Sequence, residues 1–459
     1  MKNFTKVLLA SLTAATLFGC GSDNDDVTAP SDNSYLRVYH ASPDAPKVNV
    51  WLDGKLALAG VDYQQSSGAL KVPAGMHTVQ VEALLPDGTT LTVIPETQLT
   101  LETDIEYNVV AAGKAALIGT GEVNEFGPQI IGRDALIPSG ARVQVMHAAP
   151  DAPMVDVFIT APDASLAGAT PFADDVAYLG ATEAIAVPAG DYQVRITDPA
   201  DSSTVYFDSG TVAVPAGGDW FVAATNNTQA GGSPVNLLVD TGAASLVVRD
   251  KNTGSDIRVV HAISDAPGVD VWINGEAPAV DSPLYNLEFT DVTAYLAVPG
   301  AQYTFNVAAS GTEDVVEALS LTATLEASKT YTAIAIGNLN DMEDNDQLFV
   351  VEDEVRRVAT AAKLRAIHAS TTAGNVDIYV SADSTPSDDD VILKNVAYKG
   401  DSTALSITPG EVYVMVTPVD APETVVIDSG LLALTGGSIT TLIAADDGNG
   451  GFTAISLDD

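Results

Sequence analysis

The chain has 459 residues, 46% of them hydrophobic, and its 61 acidic side chains face 20 basic ones for a net charge of -41 at pH 7. That length divides into roughly three or four domains, each able to bury a core. So acidic a surface repels nucleic acid and anionic membranes, which argues against a DNA or RNA partner; it suits saline surroundings and attracts divalent cations.

At the N-terminus, Lys2 and Lys6 precede an apolar run over residues 7–19 that is too short for a stable transmembrane helix. The run ends in Leu17-Phe18-Gly19-Cys20, which resembles a bacterial lipobox. The resemblance implies a lipoprotein signal peptide over residues 1–19 and acylation of Cys20, giving a membrane anchor. Gly21 follows, not Asp, and by analogy with Gram-negative lipoproteins this implies sorting to the outer membrane, with surface and periplasmic faces both open. Cys20 is the only cysteine, so the mature domains must hold together without disulfides. Residues 20–33, mostly Ser, Asp, Asn, Thr and Pro with one Val, read as a flexible tether.

One stretch then recurs four times. It begins Arg37-Val38-Tyr39-His40-Ala41-Ser42-Pro43-Asp44-Ala45-Pro46 and continues through Val48-Asn49-Val50-Trp51. The histidines fall at His40, His147, His261 and His368, spaced by 107, 114 and 107 residues. A period near 110 suits a complete small domain better than a solenoid unit. Short runs of Val, Ile, Thr and aromatics, broken by Gly, Pro, Asn and Asp, predict an all-β chain. The expected architecture is four tandem immunoglobulin-like antiparallel β-sandwiches over residues 34–138, 139–253, 254–360 and 361–459.

Within each repeat, the strand after the histidine ends in a tight hairpin signal in repeats one and three, Asp53-Gly54 and Asn274-Gly275. Repeats two and four carry a longer loop with Pro and Asp there, and they also share Val-Ala-Tyr and Asp-Ser-Gly. The alternation predicts a duplicated two-domain pair whose internal packing is repeated. A Pro-Gly turn (Pro73 to Gly75, Pro188 to Gly190, Pro299-Gly300, Pro409-Gly410) precedes an alternating strand in every repeat. Later, Leu101 and Tyr107, Val214 and Trp220, and Leu325 and Tyr331 share a six-residue spacing that resembles the corner entering a late strand of an immunoglobulin-like sandwich.

Period-two reading places Leu36, Val38 and His40 on one face and Arg37 and Tyr39 on the other. The histidine thus sits on the apolar face at the strand end, where a buried imidazole needs partners. The expectation is a structural pin between His40, His147, His261 or His368 and the loop that follows, which holds Asp44, Asp151 and Asp265. A metal reading would add Asn49, Asp156 or Asp270. One imidazole with one or two carboxylates is too few ligands for a closed transition-metal site, and the fourth repeat keeps His368 while Thr372 replaces the Asp. No metal and no cofactor are assigned. The acidic loops at residues 341–346, 388–390 and 446–447 are the places where calcium could bind, without the usual Asp-x-Asp-x-Asp-Gly spacing.

Trp51, Phe158, Trp272 and Tyr379 share one aligned position and are the candidate binding aromatics, for a glycan or a protein partner. There is no Gly-x-Ser-x-Gly, His-Glu-x-x-His or phosphate loop, and four of five histidines occupy one structural position, so no catalytic residue is assigned.

The combination His-Ala-Ser-Pro-Asp-Ala-Pro-x-Val, Val72-Pro73-Ala74-Gly75 and Tyr107-Asn108-Val109-Val110-Ala111-Ala112-Gly113 is similar to domain-of-unknown-function family 4397. The resemblance runs from about Tyr35 to the C-terminus and is weakest in the fourth repeat, which lacks Asp-Ala-Pro. It implies tandem domains in a secreted protein or lipoprotein and supplies no catalytic residues. The expected function is a non-enzymatic cell-envelope lipoprotein, an extended array for adhesion or protein interaction. The alternative is a polysaccharide or surface-ligand binder using the aromatics, and after it a secreted hydrolase, which would require convergent carboxylates in one repeat.

Overall fold

The computed structural model describes residues 32–135, 140–242, 244–339 and 347–459. Among them the chain is all-β, with a single 3-10 turn at Ala115–Leu117. The signal peptide, Cys20 and nearly all of the tether lie outside the described residues.

The first repeat shows the plan. Its strands are β1 (Asn33–His40), β2 (Val48–Leu52), β3 (Lys55–Val61), β4 (Leu70–Pro73), β5 (Gly75–Leu84), β6 (Thr90–Leu101), β7 (Ile105–Ala112) and β8 (Gly127–Asp134). They form two sheets, β4-β1-β7-β8 and β3-β2-β5-β6. Alternation puts Val38 and Ala111 of one sheet against Val48, Val50, Val81 and Ile94 of the other. The turn between β2 and β3 has Asp53 at φ 50° and Gly54 at φ 69°, the geometry of the tight hairpin that Asp-Gly signals. The six-residue spacing also has a physical basis: the hydroxyls of Tyr107 and Tyr331 accept the N–H groups of Glu102 and Glu326 at 3.1 and 3.2 Å.

The sandwich is corrected in one respect. An immunoglobulin sandwich is built from antiparallel sheets ordered ABED and CFG. Here β1 sits between β4, antiparallel, and β7, parallel. A parallel neighbour requires a long crossover, and the whole second sheet supplies it.

The same sheet order recurs with local changes. The second repeat adds an edge strand, Ser245–Val248, and the third has three strands in its second sheet instead of four. After Asn274-Gly275 the returning chain pairs at Glu276, and then Pro278 and Pro283, which lack an N–H donor, interrupt a returning strand.

The central strands are buried on both faces. Every residue of Ala141–His147, Asp219–Asn226 and Ala362–His368 is buried. One face enters the sandwich core and the other packs on the neighbouring repeat. Tyr39, Val110, Met146 and Ala223 meet between repeats one and two; Val260, Ile334, Ile367 and Ile443, at the aligned positions, meet between repeats three and four. The duplicated pair is thus visible as one junction used twice. The two pairs do not string out as an extended array. The segment between the third and fourth repeats returns to the first, where the N–H of Ala359 donates to the Asp44 carbonyl at 2.8 Å.

Candidate functional site

Each repeated histidine closes its own loop. Nε2 lies 2.9 Å from the Pro46 carbonyl at His40, 2.9 Å from Pro153 at His147, 3.3 Å from Pro267 at His261 and 2.7 Å from Gly374 at His368. A carbonyl only accepts, so Nε2 carries the proton. In the last three repeats Nδ1 accepts the N–H two residues on, from Ala149, Ile263 and Ser370 at 3.2–3.3 Å. Both ring nitrogens of these three are therefore occupied in the neutral form, and neither offers a lone pair to a metal. Burial lowers the pKa of all four rings, that of His40 to about 4. Tyr63, Tyr178 and Tyr398 meet three of the rings edge-on at 6.2, 6.2 and 6.4 Å.

The loop carboxylates hold the end of the facing strand. Asp44 accepts the N–H groups of Ala115 and Ala116 at 2.7 and 3.0 Å, Asp151 accepts Asn226 Nδ2 at 2.6 Å, and Asp265 accepts the Leu339 N–H at 3.0 Å. In the fourth repeat the polarity is reversed. Asp446, aligned with Asn226, accepts from Ser370, the Thr371 N–H and Thr372 Oγ1 at 2.5, 2.8 and 2.6 Å. The carboxylate has moved across the contact, a change the alignment of Asn226 with Asp446 could have revealed. Asn49, Asp156, Asp270 and Asp377 accept N–H groups of Gly60, Asp175, Asn286 and Asn395 at 2.7–3.0 Å. All four donors have φ between 49° and 63°; in repeats one, two and four these side chains hold left-handed bulges of the returning strand, and in repeat three Asp270 holds the equivalent loop residue.

Among the described residues, no three His, Cys, Asp or Glu side chains group as a metal shell. The acidic loop 341–346 lies outside the described residues. Asp390 accepts from Ser387, and Asp447 accepts from Asn449 and Gly451.

The four aligned aromatics divide by loop type. Phe158 and Tyr379 are 2% and 1% exposed, whereas Trp51 and Trp272 are half-buried. Phe158 and Tyr379 are therefore corrected from candidate binding residues to packing residues. Arg195, paired with Phe158 across the sheet, donates to Thr160 Oγ1 and the Ala164 carbonyl at 2.8 and 2.6 Å and so ties down the long loop of repeat two. Repeats one and three have the short hairpin. Beside Trp272 the outer face carries Asn306, bonded to Ser320 at 2.9 Å, and Thr304, bonded to Thr322 at 3.0 Å. Trp51 donates to Glu82 at 2.9 Å and pairs with Gln80.

Both junctions also hold buried charges that the strand periodicity left unassigned. Between repeats one and two, Arg37 bonds Asp240 at 2.7 Å and Glu106 at 3.1 Å, Arg133 bonds Glu106 and lies 3.3 Å from Asp219, and Arg142 bonds Asp219 at 2.6 Å. Between three and four, Arg258 bonds Asp459 at 2.7 Å, and Arg365 bonds Asp353 at 2.9 Å and Asp401 at 2.5 Å. Arg37, Arg258 and Arg365 each stand three residues before the histidine, on the opposite face.

Arg356 joins the pairs. It donates to the Pro43 carbonyl at 3.1 Å, to the Ala45 carbonyl and to Asp62 at 3.2 Å, and stacks over Tyr63 at 5.1 Å. Arg356→Ala is expected to loosen the pairs from each other while leaving each pair folded. Limited proteolysis should then cut within residues 354–361 at least several-fold faster; an unchanged rate would show that Arg356 does not hold the junction.

The chain belongs to the family described as Domain of unknown function (DUF4397), which matches residues 34–158, 141–248 and 255–379. No curated protein is significantly similar in sequence. Among solved structures, a CBM26 carbohydrate-binding module from Eubacterium rectale, in complex with maltoheptaose, is 12% identical, covering 43% of this chain and 95% of the module at a TM-score of 0.16. The Bacillus anthracis TIE protein is 10% identical over 90% of this chain and 68% of its own, at 0.15. A candidate cell adhesion protein from Parabacteroides distasonis is 10% identical over 70% and 98%, at 0.13.

Proposed function

We propose that this chain is a non-enzymatic cell-envelope lipoprotein, anchored at the outer membrane through Cys20, that binds its partners on the outer faces of repeats one and three. The observation that carries the reading is a division among the repeated residues. Three of the motif histidines and the loop carboxylates are committed to backbone and side-chain bonds that hold loops, whereas Trp51 and Trp272 remain half-open. The array is folded back at Arg356, so adhesion proceeds from these faces and not from an extended stalk.

A glycan is the second reading, and the Trp272 face favours it. An aromatic plane beside Asn306, Ser320, Thr304 and Thr322 offers stacking with amide and hydroxyl groups, the chemistry that neutral sugars match. The test is binding of purified protein to a polysaccharide panel and to host-surface proteins. Trp51→Ala with Trp272→Ala is expected to lower binding at least tenfold with thermal stability nearly unchanged. Full binding by the double variant would overturn the assignment of these faces.

A further inference from the structure

Where the four repeats meet, a cleft of ≈ 660 Å³ opens. Its walls reverse the charge balance of the chain. Lys47 from repeat one, Arg249 from repeat two, Lys329 from repeat three, Arg356 from the connecting segment and Lys363 from repeat four all line it. These are five of the 20 basic residues in the chain, against four of the 61 acidic ones, Asp62, Glu352, Asp353 and Glu354. Asp353 belongs to the junction behind the wall, where it holds Arg365 at 2.9 Å and Thr332 at 2.5 Å. Three carboxylates therefore remain for five cations. Lys47 and Arg356 share Asp62 at 3.7 and 3.2 Å, Lys363 has Glu354 at 3.1 Å, and Lys329 has Glu352. Among the described residues Arg249 has no ion-pair partner, and it is exposed.

The rest of the wall mixes polar residues, Gln64, Gln229 and Ser406 among them, with apolar ones such as Leu84, Leu85 and Val358. Ser328, at the same wall, is 4% exposed and its hydroxyl has no bonding partner. At physiological ionic strength the screening length is about 8 Å, so exposed carboxylates separated from the cleft mouth by more than that distance of solvent contribute little there. The volume suits a ligand of disaccharide size.

We propose that this cleft binds a small multivalent oxyanion, a compound with two or more carboxylate, phosphate or sulfate groups. Arg249 and Lys329 would meet the ligand at the mouth and Lys363 deeper in. The site is separate from the Trp51 and Trp272 faces, so its success or failure is independent of the function proposed above.

The experiment is calorimetric titration of the purified full chain with pyrophosphate, with digalacturonate and with maltose as the uncharged control. Either anion is expected to bind with a Kd below 1 mM, more weakly as salt rises, and maltose is expected not to bind. The two anions distinguish a phosphate-bearing from a uronate-bearing ligand. Arg249→Ala with Lys329→Ala should lower the affinity at least tenfold. Both residues are solvent-accessible, and an unchanged melting curve would show that the variant is folded. Absence of binding by both anions, equal binding of maltose, or full binding by the double variant would overturn the proposal.

Discussion

Asp219→Ala is expected to lower the stability of the first pair by about 3–5 kcal/mol, the range for removing one partner of a buried charge network. Asp219 is 2% exposed and lies within 2.6–3.9 Å of Arg142, Arg133 and Arg37. Without it three guanidiniums would share Glu106 and Asp240. Burial pushes the Asp219 carboxyl up, but the hydrogen bond from Arg142 and the charges of Arg133, Arg142 and Arg37 outweigh it, and the net pKa is lowered. A lowered carboxyl contributes stability above the ordinary carboxylate range and loses it as pH falls through the folded value. At the second junction Asp353 is raised, because burial there exceeds the pull of Thr332, Arg258, Tyr295 and Arg365. Its ionisation opposes folding, so acid should weaken the first junction more than the second. Urea unfolding followed by Trp220 fluorescence is the measurement, since Trp220 lies in the same strand as Asp219. A midpoint shift no larger than that of an exposed control, Asp191→Ala, would remove the network from any account of stability.

Acidification from pH 7 to pH 5 is expected to destabilise the chain through its buried histidines. A histidine with lowered pKa contributes its full stability above the unfolded value near 6.5 and loses it as pH falls toward the folded value. For His40, with a folded value of about 4, the loss by pH 5 is about 2 kcal/mol. His147, His261 and His368 act in the same direction. His77 acts oppositely: its bond to Asp53 at 2.7 Å raises it, so its contribution is present at low pH and fades as pH rises. The measurement is the Tm of wild type and His40→Gln at both pH values. The amide can still donate to Pro46 but cannot be protonated, so the variant should lose less. An equal loss would mean that His40 does not titrate during unfolding.

The alternation of Leu36, Val38 and His40 was enough to place the histidine inside, and the loop following it in sequence was enough to suggest its partner. Local periodicity reports such features because strand faces alternate and a tight loop can reach only its own strand end. The same periodicity sent Arg37 and Tyr39 to the other face without saying that this face was buried too. Nothing near Arg37 in sequence announces Asp240, which is 203 residues away. The aligned aromatics diverge in the same way. Phe158, in a repeat with the long loop, is buried, whereas Trp51, beside the tight hairpin, is half-buried, and the alignment alone does not separate them.

The sequence by itself determined the β-repeat, its period, its hairpins and the histidine that closes each loop, because these arise from contacts within about a hundred residues; the pairing of repeats was legible only as the alternation of tight hairpin and long loop. Only the tertiary structure decided that β1 runs parallel to β7, that the outer faces of the central strands join repeats through buried ion pairs, and that scattered Lys and Arg residues converge on one cleft. Those features depend on which surfaces come together after the sandwiches have formed. A side chain's sequence neighbours say little about the dielectric or the charges it will meet there.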